Sequence, residues 1–228
     1  NPDIGLVGAP SLSKDSLSVA SLENTHVFVD KFIFTIGGVD YEAGYKTQSS
    51  PLPLDVFKKT EQEVVYVADG APDKYEGKDV KGKIVFAVRN AANPNYGEIQ
   101  KQAEDAGASG VIVRGTPAHG DFVSMALNNP TIPLVSLRIN DGTKFEEKIK
   151  EAGGNGKVKF TGDMIQLANL TAGHLSTFTS WGVTPNLDFK PEITAPGGKI
   201  YSTLNNDKYG VMSGTSMAAP HISAACAM

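Results

Sequence analysis

A serine with the surroundings of a nucleophile lies close to the end of the sequence, in the octapeptide GTSMAAPH at residues 214–221. A serine hydroxyl is unreactive at its ordinary pKa, so a nucleophilic serine needs an exposed position, a base, and backbone N–H groups that receive an oxyanion. A glycine-rich turn that opens a helix of small residues provides the exposure and the donors. The pattern therefore predicts that Ser216 is a nucleophile. The alternative is a serine that only caps the helix, a common role at such positions.

Four further segments favour the catalytic interpretation, because together they resemble the sequence that leads to the nucleophile in the subtilisin-like serine proteases. They are FTSWG at 178–182, KPEITAPGG at 190–198, IYST at 200–203 and MSGTS at 212–216. Two residues depart from the family pattern: Val183 stands where proline is usual, and Glu192 where aspartate is more common. With its long insertion before these segments, the chain most resembles the cell-envelope proteinases of Gram-positive bacteria, the lactocepin and C5a-peptidase type.

The resemblance implies a serine endopeptidase that hydrolyses peptide bonds through an acyl-enzyme on Ser216. It assigns substrate-binding positions to Gly8, Gly214 and Thr215, with Gly8 matching a glycine in the floor of the P1 pocket. A glycine needed only for a tight turn before Pro10 explains Gly8 equally well, and Thr215 can serve as a helix-entry hydrogen-bonding residue.

The catalytic aspartate, histidine and oxyanion asparagine of the family are not found in the sequence and are expected before residue 1. His221 follows Ser216 by five residues, so on a helix it points roughly 140° away from the hydroxyl. The other histidines, His26, His119 and His174, have no motif that would orient a base. We therefore expect the 228-residue chain to be inactive alone.

The predicted fold class is α/β, with a partial subtilisin-like parallel α/β core interrupted by a β-rich insertion with two covering helices. Residues 1–30 and 164–228 form the core segments, and residues 31–163 form the insertion, which resembles a protease-associated (PA) domain. Its predicted strands lie at 63–68, 82–88, 109–114 and 132–137, and its helical patterns at 99–106 and 145–152. Asp141 is the expected N-cap of the second helix. The insertion either contacts substrate near the cleft or is an appendage without substrate contact.

Composition narrows the choice of partners. The content of 40% hydrophobic and 20% charged residues is typical of globular protein. A net charge of −4 without a Lys/Arg cluster argues against nucleic acid or an anionic membrane and leaves protein or peptide substrates. Asp121, Glu146 and Glu147 are interpreted as solvated acids, so no metal or cofactor is predicted. The single cysteine, Cys226, is interpreted as a small buried hydrophobe.

Both ends of the sequence resemble positions inside a longer protein. The sequence begins without methionine and stops within the alanine-rich segment 216–227, which has no glycine cap. We therefore expect an internal fragment of a longer protein, which the resemblance implies to be extracellular, secreted or associated with the cell wall. The alternative function is a non-catalytic, protease-associated module that binds peptides or surfaces.

Overall fold

The computed structural model describes residues 4–47, 51–93, 95–116, 121–122 and 131–228. The described strands are β1 (Ile4–Leu6), β2 (Val19–Glu23), β3 (His26–Ile36), β4 (Val39–Thr47), β5 (Glu61–Tyr66), β6 (Ile84–Val88), β7 (Gly110–Arg114), β8 (Leu134–Leu137), β9 (Asn155–Ala168), β10 (Trp181–Val183), β11 (Phe189–Lys190), β12 (Ile193–Gly198), β13 (Ile200–Leu204) and β14 (Lys208–Met212). The described helices are α1 (Pro53–Phe57), a 3₁₀ helix (Pro72–Tyr75), α2 (Tyr96–Asp105), α3 (Ile139–Glu151) and α4 (Thr215–Ala227).

The chain divides into two compact units. One, here called the serine unit, combines Asn1–Phe28 with Gln166–Met228, and the other, the barrel unit, is Val29–Ile165. The sequence-based boundaries of the insertion, 31 and 163, each fall two residues inside those of the barrel unit. The identification of this unit as a PA domain remains a prediction.

The barrel unit is a closed sheet in the strand order β3-β4-β8-β7-β6-β5-β9. The pairs β5–β6, β6–β7 and β7–β8 are parallel, whereas β3–β4, β4–β8 and β5–β9 are antiparallel. Side chains alternate between the two faces of a strand. In β6, Ile84 and Phe86 join one hydrophobic cluster, whereas Val85 and Ala87 join another. Both faces of the central strands are buried, which explains why the sequences of these strands are continuous apolar runs.

Two helices cover opposite faces of this sheet. Phe145 and Ile149 of α3 pack into the cluster that contains Phe86, and Ile99 and Ala103 of α2 pack into the cluster that contains Val85. The four strands and two helices predicted for the insertion are confirmed, with shifts of a few residues at their ends.

The expected N-cap of α3 was wrong. The N-cap is Arg138, and Asp141 lies in the first turn, where its carboxylate accepts a hydrogen bond from the Arg138 guanidinium at 2.9 Å. The Ile139 N–H donates instead to the carboxylate of Asp121, at 2.8 Å. Asp121 is therefore not a merely solvated acid: it satisfies a backbone donor at the start of the helix from a distant position in the sequence.

Glu146 on α3 was also misjudged as a solvated acid, because its side chain is only 17% exposed. Its carboxylate accepts hydrogen bonds from Arg114 at 2.6 Å, Lys150 at 2.6 Å and Tyr66 at 2.9 Å. Burial raises the pKa of this carboxyl, but the hydrogen bonds from Lys150, Arg114 and Tyr66 outweigh burial and lower the pKa below its usual value. The network ties α3 to β5 and β7.

We expect Glu146→Gln to lower the free energy of unfolding by about 1 kcal/mol at pH 7, allowing for partial solvent screening. A carboxyl whose pKa is lower in the folded state stabilises the protein above its unfolded pKa, about 4.3 for glutamate, and this contribution is lost as pH falls through the folded-state pKa. The difference between variant and wild type should therefore shrink on acidification, as urea unfolding at pH 7 and pH 3 would reveal. The exposed neighbour Glu147→Gln is the control. A difference that stays constant between the two pH values would contradict this account.

The serine unit is built from strands that are distant in sequence. β1 pairs in parallel with β10, which pairs antiparallel with β11, and β2 pairs in parallel with β12. β13 and β14 form an antiparallel hairpin. The predicted α/β class, with parallel pairing between the two core segments, is confirmed.

The helix α4 packs against β2 and β12 and buries Ala218. Most of its other described residues are exposed, including Cys226. The expectation of a buried Cys226 was therefore wrong, because the cysteine lies away from the one side of α4 that packs on these strands.

Candidate active site

Ser216 is held at the start of α4 by the backbone of Gly214. The Gly214 carbonyl accepts hydrogen bonds from the N–H groups of Met217 at 3.0 Å and Ala218 at 3.3 Å, and its own N–H donates to Gly197 at 2.8 Å. The Gly214 backbone is extended, with φ 163° and ψ 159°. Because Met217 and Ala218 use the Gly214 carbonyl, the N–H groups of Thr215 and Ser216 remain directed out of the positive end of the helix. Both side chains are exposed.

Gly197 on β12 allows this helix start to approach the sheet. A Cβ at this position would clash with Ser21 Oγ and would lie 2.7 Å from the Gly214 carbonyl oxygen and 2.9 Å from Ala218 Cβ. The buried Ser21 side chain is itself fixed, because its Oγ lies 2.9 Å from that of Ser176. Sequence analysis gave Gly197 no role beyond its motif.

We expect Gly197→Ala to lower the free energy of unfolding by about 1–3 kcal/mol, because the methyl group overpacks backbone that cannot move freely. It should also lower turnover in an active protein, since it displaces the residues that hold Ser216. Chemical denaturation measures the first effect. Gly8→Ala is the control for stability, because a Cβ there meets nothing within 4 Å. Equal stabilities of the two variants would show that the contact is unimportant.

Three of the predicted site residues line one cleft. Gly8, Thr215 and Ser216 share a cleft of about 450 Å³, whereas Gly214 only carries the start of α4 beside it. The remaining lining residues are Val7, Ser11, Leu17, Ser18, Val19, Phe178, Ser180, Pro191 and Ala219. The walls thus come from both sequence segments of the serine unit, and a peptide side chain could enter beside the Ser216 hydroxyl.

Gly8 forms a turn in which its carbonyl accepts the N–H of Ser11 at 3.1 Å. Its φ does not lie in the left-handed region, so the turn does not require glycine for its backbone. A side chain at this position would extend into open space. An alanine at this position would therefore cause neither backbone strain nor a steric clash.

The histidines do not place a base beside Ser216 in the part of the chain that the structure describes. His221 Nδ1 lies 2.8 Å from the carbonyl oxygen of Met217, one helical turn earlier. His26 and His174 are exposed, and His119 lies outside the described residues. Within the same ranges, the Ser216 hydroxyl makes no hydrogen bond, and no group of three His, Cys, Asp or Glu side chains could hold a metal ion. No described helix combines the length and apolarity needed to cross a membrane.

An ion pair behind the cleft was missed by sequence analysis. Lys190 and Glu192 pair with each other, and Glu192 also accepts the N–H of Ser18 at 2.8 Å. The hydrogen bond from Lys190, followed by that from the Ser18 N–H, lowers the pKa of the Glu192 carboxyl. The only available signal was the KPE sequence itself, because Ser18 lies in the distant first segment.

Comparison with known proteins agrees with the resemblance found in the sequence. The PII-type proteinase of Lacticaseibacillus paracasei is 34% identical over 99% of this chain and 12% of the relative's length. The C5a peptidase of Streptococcus pyogenes serotype M3 is 29% identical over 96% of the chain and 18% of the relative. Among solved structures, a psychrophilic subtilisin-like protease from Pseudoalteromonas sp. AS-11 matches with a TM-score of 0.43 and 17% identity, over 94% of this chain and 48% of the other.

The chain thus spans 12% of the length of the first of these relatives. The predicted relationship to the lactocepin and C5a-peptidase type is confirmed by the two proteinases. A sequence model of the subtilase family matches residues 2–228, which is nearly the whole chain. This chain belongs to the subtilase family.

Proposed function

We propose that this chain is part of a serine endopeptidase in which Ser216 is the nucleophile. The observation that carries the proposal is the position of Ser216, exposed in the first turn of α4 and in the wall of the cleft that Gly8 and Thr215 also line. Membership of the subtilase family and the similarity to proteinases support peptide or protein substrates.

In the proposed reaction, Ser216 Oγ attacks the scissile carbonyl carbon while its proton passes to a base. The backbone N–H of Ser216 donates to the oxyanion, together with a second donor outside these residues. The C–N bond then breaks, the base returns the proton to the leaving amine, and water hydrolyses the acyl-enzyme. We propose that residues preceding this segment complete the site: a histidine acts as the base, an aspartate orients that histidine, and an asparagine supplies the second oxyanion donor.

Gly8 is proposed to leave room for the P1 side chain of the substrate. Its exposed backbone and the open space where a Cβ would point support this role. Gly214 would keep the approach to Ser216 uncrowded because it has no side chain, and Thr215 would offer its exposed hydroxyl at the helix start.

The barrel unit is proposed to be a PA domain without catalytic residues, which contacts extended substrate or restricts its access. The closed sheet with helices on opposite faces agrees with such a compact independent module. By analogy with the relatives, the intact protein is proposed to be extracellular, secreted or associated with the cell wall.

The first test compares the isolated 228-residue chain with the longer protein that contains it. Only the longer protein is expected to cleave a fluorogenic peptide, because in subtilisin, a member of the same family, loss of the serine or histidine lowers turnover by about a millionfold. Robust cleavage by the isolated chain, abolished by Ser216→Ala, would show that the base lies within these 228 residues. If neither protein cleaves peptides but both bind them, the binding module is the correct function.

A further inference from the structure

Lys190 is a buried cation that lies directly behind the cleft wall. Its side chain is only 5% exposed, and its ammonium group pairs with the Glu192 carboxylate and donates a hydrogen bond to the Ser16 carbonyl at 2.8 Å. Removing a charged group from water is costly unless it is paired and hydrogen-bonded. The two partners of Lys190 therefore fix the ammonium group, and the ammonium group in turn fixes Ser16.

The Glu192 carboxylate extends this network to the next residue of the wall. It accepts the Ser18 N–H at 2.8 Å, and the Ser18 carbonyl accepts the Glu192 N–H at 3.2 Å. Ser18 Oγ donates to the Ser11 carbonyl at 2.7 Å. Ser11 in turn donates its N–H to the Gly8 carbonyl at 3.1 Å. A continuous chain of hydrogen bonds thus runs from the ion pair to Gly8.

The network ends at residues that line the cleft, whereas Lys190 and Glu192 themselves do not line it. Gly8, Ser11 and Ser18 line the cleft that Ser216 also lines, and so does Pro191, which lies between the two charged residues in the sequence. Lys190 and Glu192 are absent from that lining and can influence a substrate only through the wall. Charge-assisted hydrogen bonds are shorter and stronger than neutral ones, which suits them to hold a loop in one position.

We propose that Lys190 and Glu192 are positioning residues that set the width of the cleft on the Gly8 side, and so determine which side chain on the acyl side of a peptide the enzyme accepts. The inference rests on the proposed function, since it takes this cleft as the substrate site. It predicts an effect on substrate selection that is separate from the reactivity of Ser216.

The test uses the full-length proteinase with two fluorogenic peptides that differ only in the P1 residue, alanine or phenylalanine. Lys190→Met keeps most of the buried stem but removes the charge. We expect it to raise KM about tenfold for the preferred peptide and to shift the ratio of the two kcat/KM values by about tenfold, a range typical of altered pocket contacts. The rate at which a small fluorophosphonate labels Ser216 should stay within about twofold of wild type.

Two substitutions of Glu192 complete the series. Glu192→Asp keeps the carboxylate and should retain most of the wild-type P1 preference, whereas Glu192→Gln should shift the preference in the same direction as Lys190→Met. Lys157→Met is the matched control, because Lys157 forms an exposed ion pair with Glu61 in the barrel unit, with both side chains 53% exposed. It should leave KM, the P1 ratio and labelling unchanged.

The proposal is overturned if Lys190→Met leaves KM and the P1 ratio unchanged, or if labelling and kcat fall together with no change in the ratio, which is the result of general destabilisation. If Lys190→Met does not fold, the P1 ratio of Glu192→Gln decides in the same way. Failure of the proposed function looks different, because the wild-type protein would then neither cleave the peptides nor react with the fluorophosphonate.

Discussion

Replacement of Ser216 by alanine in the longer protein proposed to contain this chain is expected to lower peptide turnover by about a millionfold, the size of the loss known for the serine of subtilisin in the same family. The reason is that the acyl-enzyme of the proposed reaction forms on Ser216 Oγ, an atom that alanine lacks. Stability should change by less than about 0.5 kcal/mol, because the side chain is exposed and makes no hydrogen bond within the described residues.

The matched control for this variant is Ser223→Ala on the same helix. Ser223 is also exposed, and its hydroxyl donates to the Ala219 carbonyl at 3.2 Å, so its loss removes only a local hydrogen bond. Turnover by this control should equal that of wild type. If Ser216→Ala retained a tenth of the wild-type kcat while remaining folded, another residue would have to be the nucleophile.

Phe32→Ala is expected to lower the free energy of unfolding of the barrel unit by about 3–5 kcal/mol, because it leaves a cavity in a close-packed core. The Phe32 side chain is 0% exposed. Its ring lies 5.8–6.3 Å, between centroids, from four other aromatic rings, those of Phe34, Tyr45, Phe145 and Phe160. The substitution therefore removes one ring from contacts with β3, β4, α3 and β9 together.

Urea unfolding of the 228-residue chain, followed by near-ultraviolet circular dichroism, measures this loss. Val39→Ala is the control, since Val39 lies in β4 with 52% exposure and its truncation should cost less than about 0.5 kcal/mol. Similar midpoints for the two variants would mean that the aromatic cluster does not hold the barrel together.

Local sequence was sufficient for the elements whose residues are close together in the chain. The apolar runs of β6 and β7 predicted buried strands because both of their faces are covered, by α2 on one side and α3 on the other. The octapeptide predicted a serine at a helix start, and α4 begins at Thr215. In these cases, the residues that determine the structure are neighbours in sequence.

Interactions between distant residues could not be predicted in the same way. The Asp121 carboxylate accepts the Ile139 N–H at the start of α3 from a separate segment of the chain. The local sequence contained only Asp141 as a candidate for this role, and Asp141 lies in the first turn instead. No residue near Lys190 in the sequence indicated that its side chain is buried, because its partner Ser16 is 174 positions away. The exposure of Cys226 depended on which side of α4 meets β2 and β12, and an alanine-rich helix has no polar face that reveals this.

The most direct test of the central claim is to treat the longer protein proposed to contain this chain with a fluorophosphonate and to locate the adduct by peptide mapping. An activated serine reacts with such a reagent, whereas an ordinary helix-capping serine does not. We expect one adduct, on Ser216, that forms as peptidase activity is lost. An active protein that carries its adduct on a different residue, or loses activity without any adduct at Ser216, would contradict it.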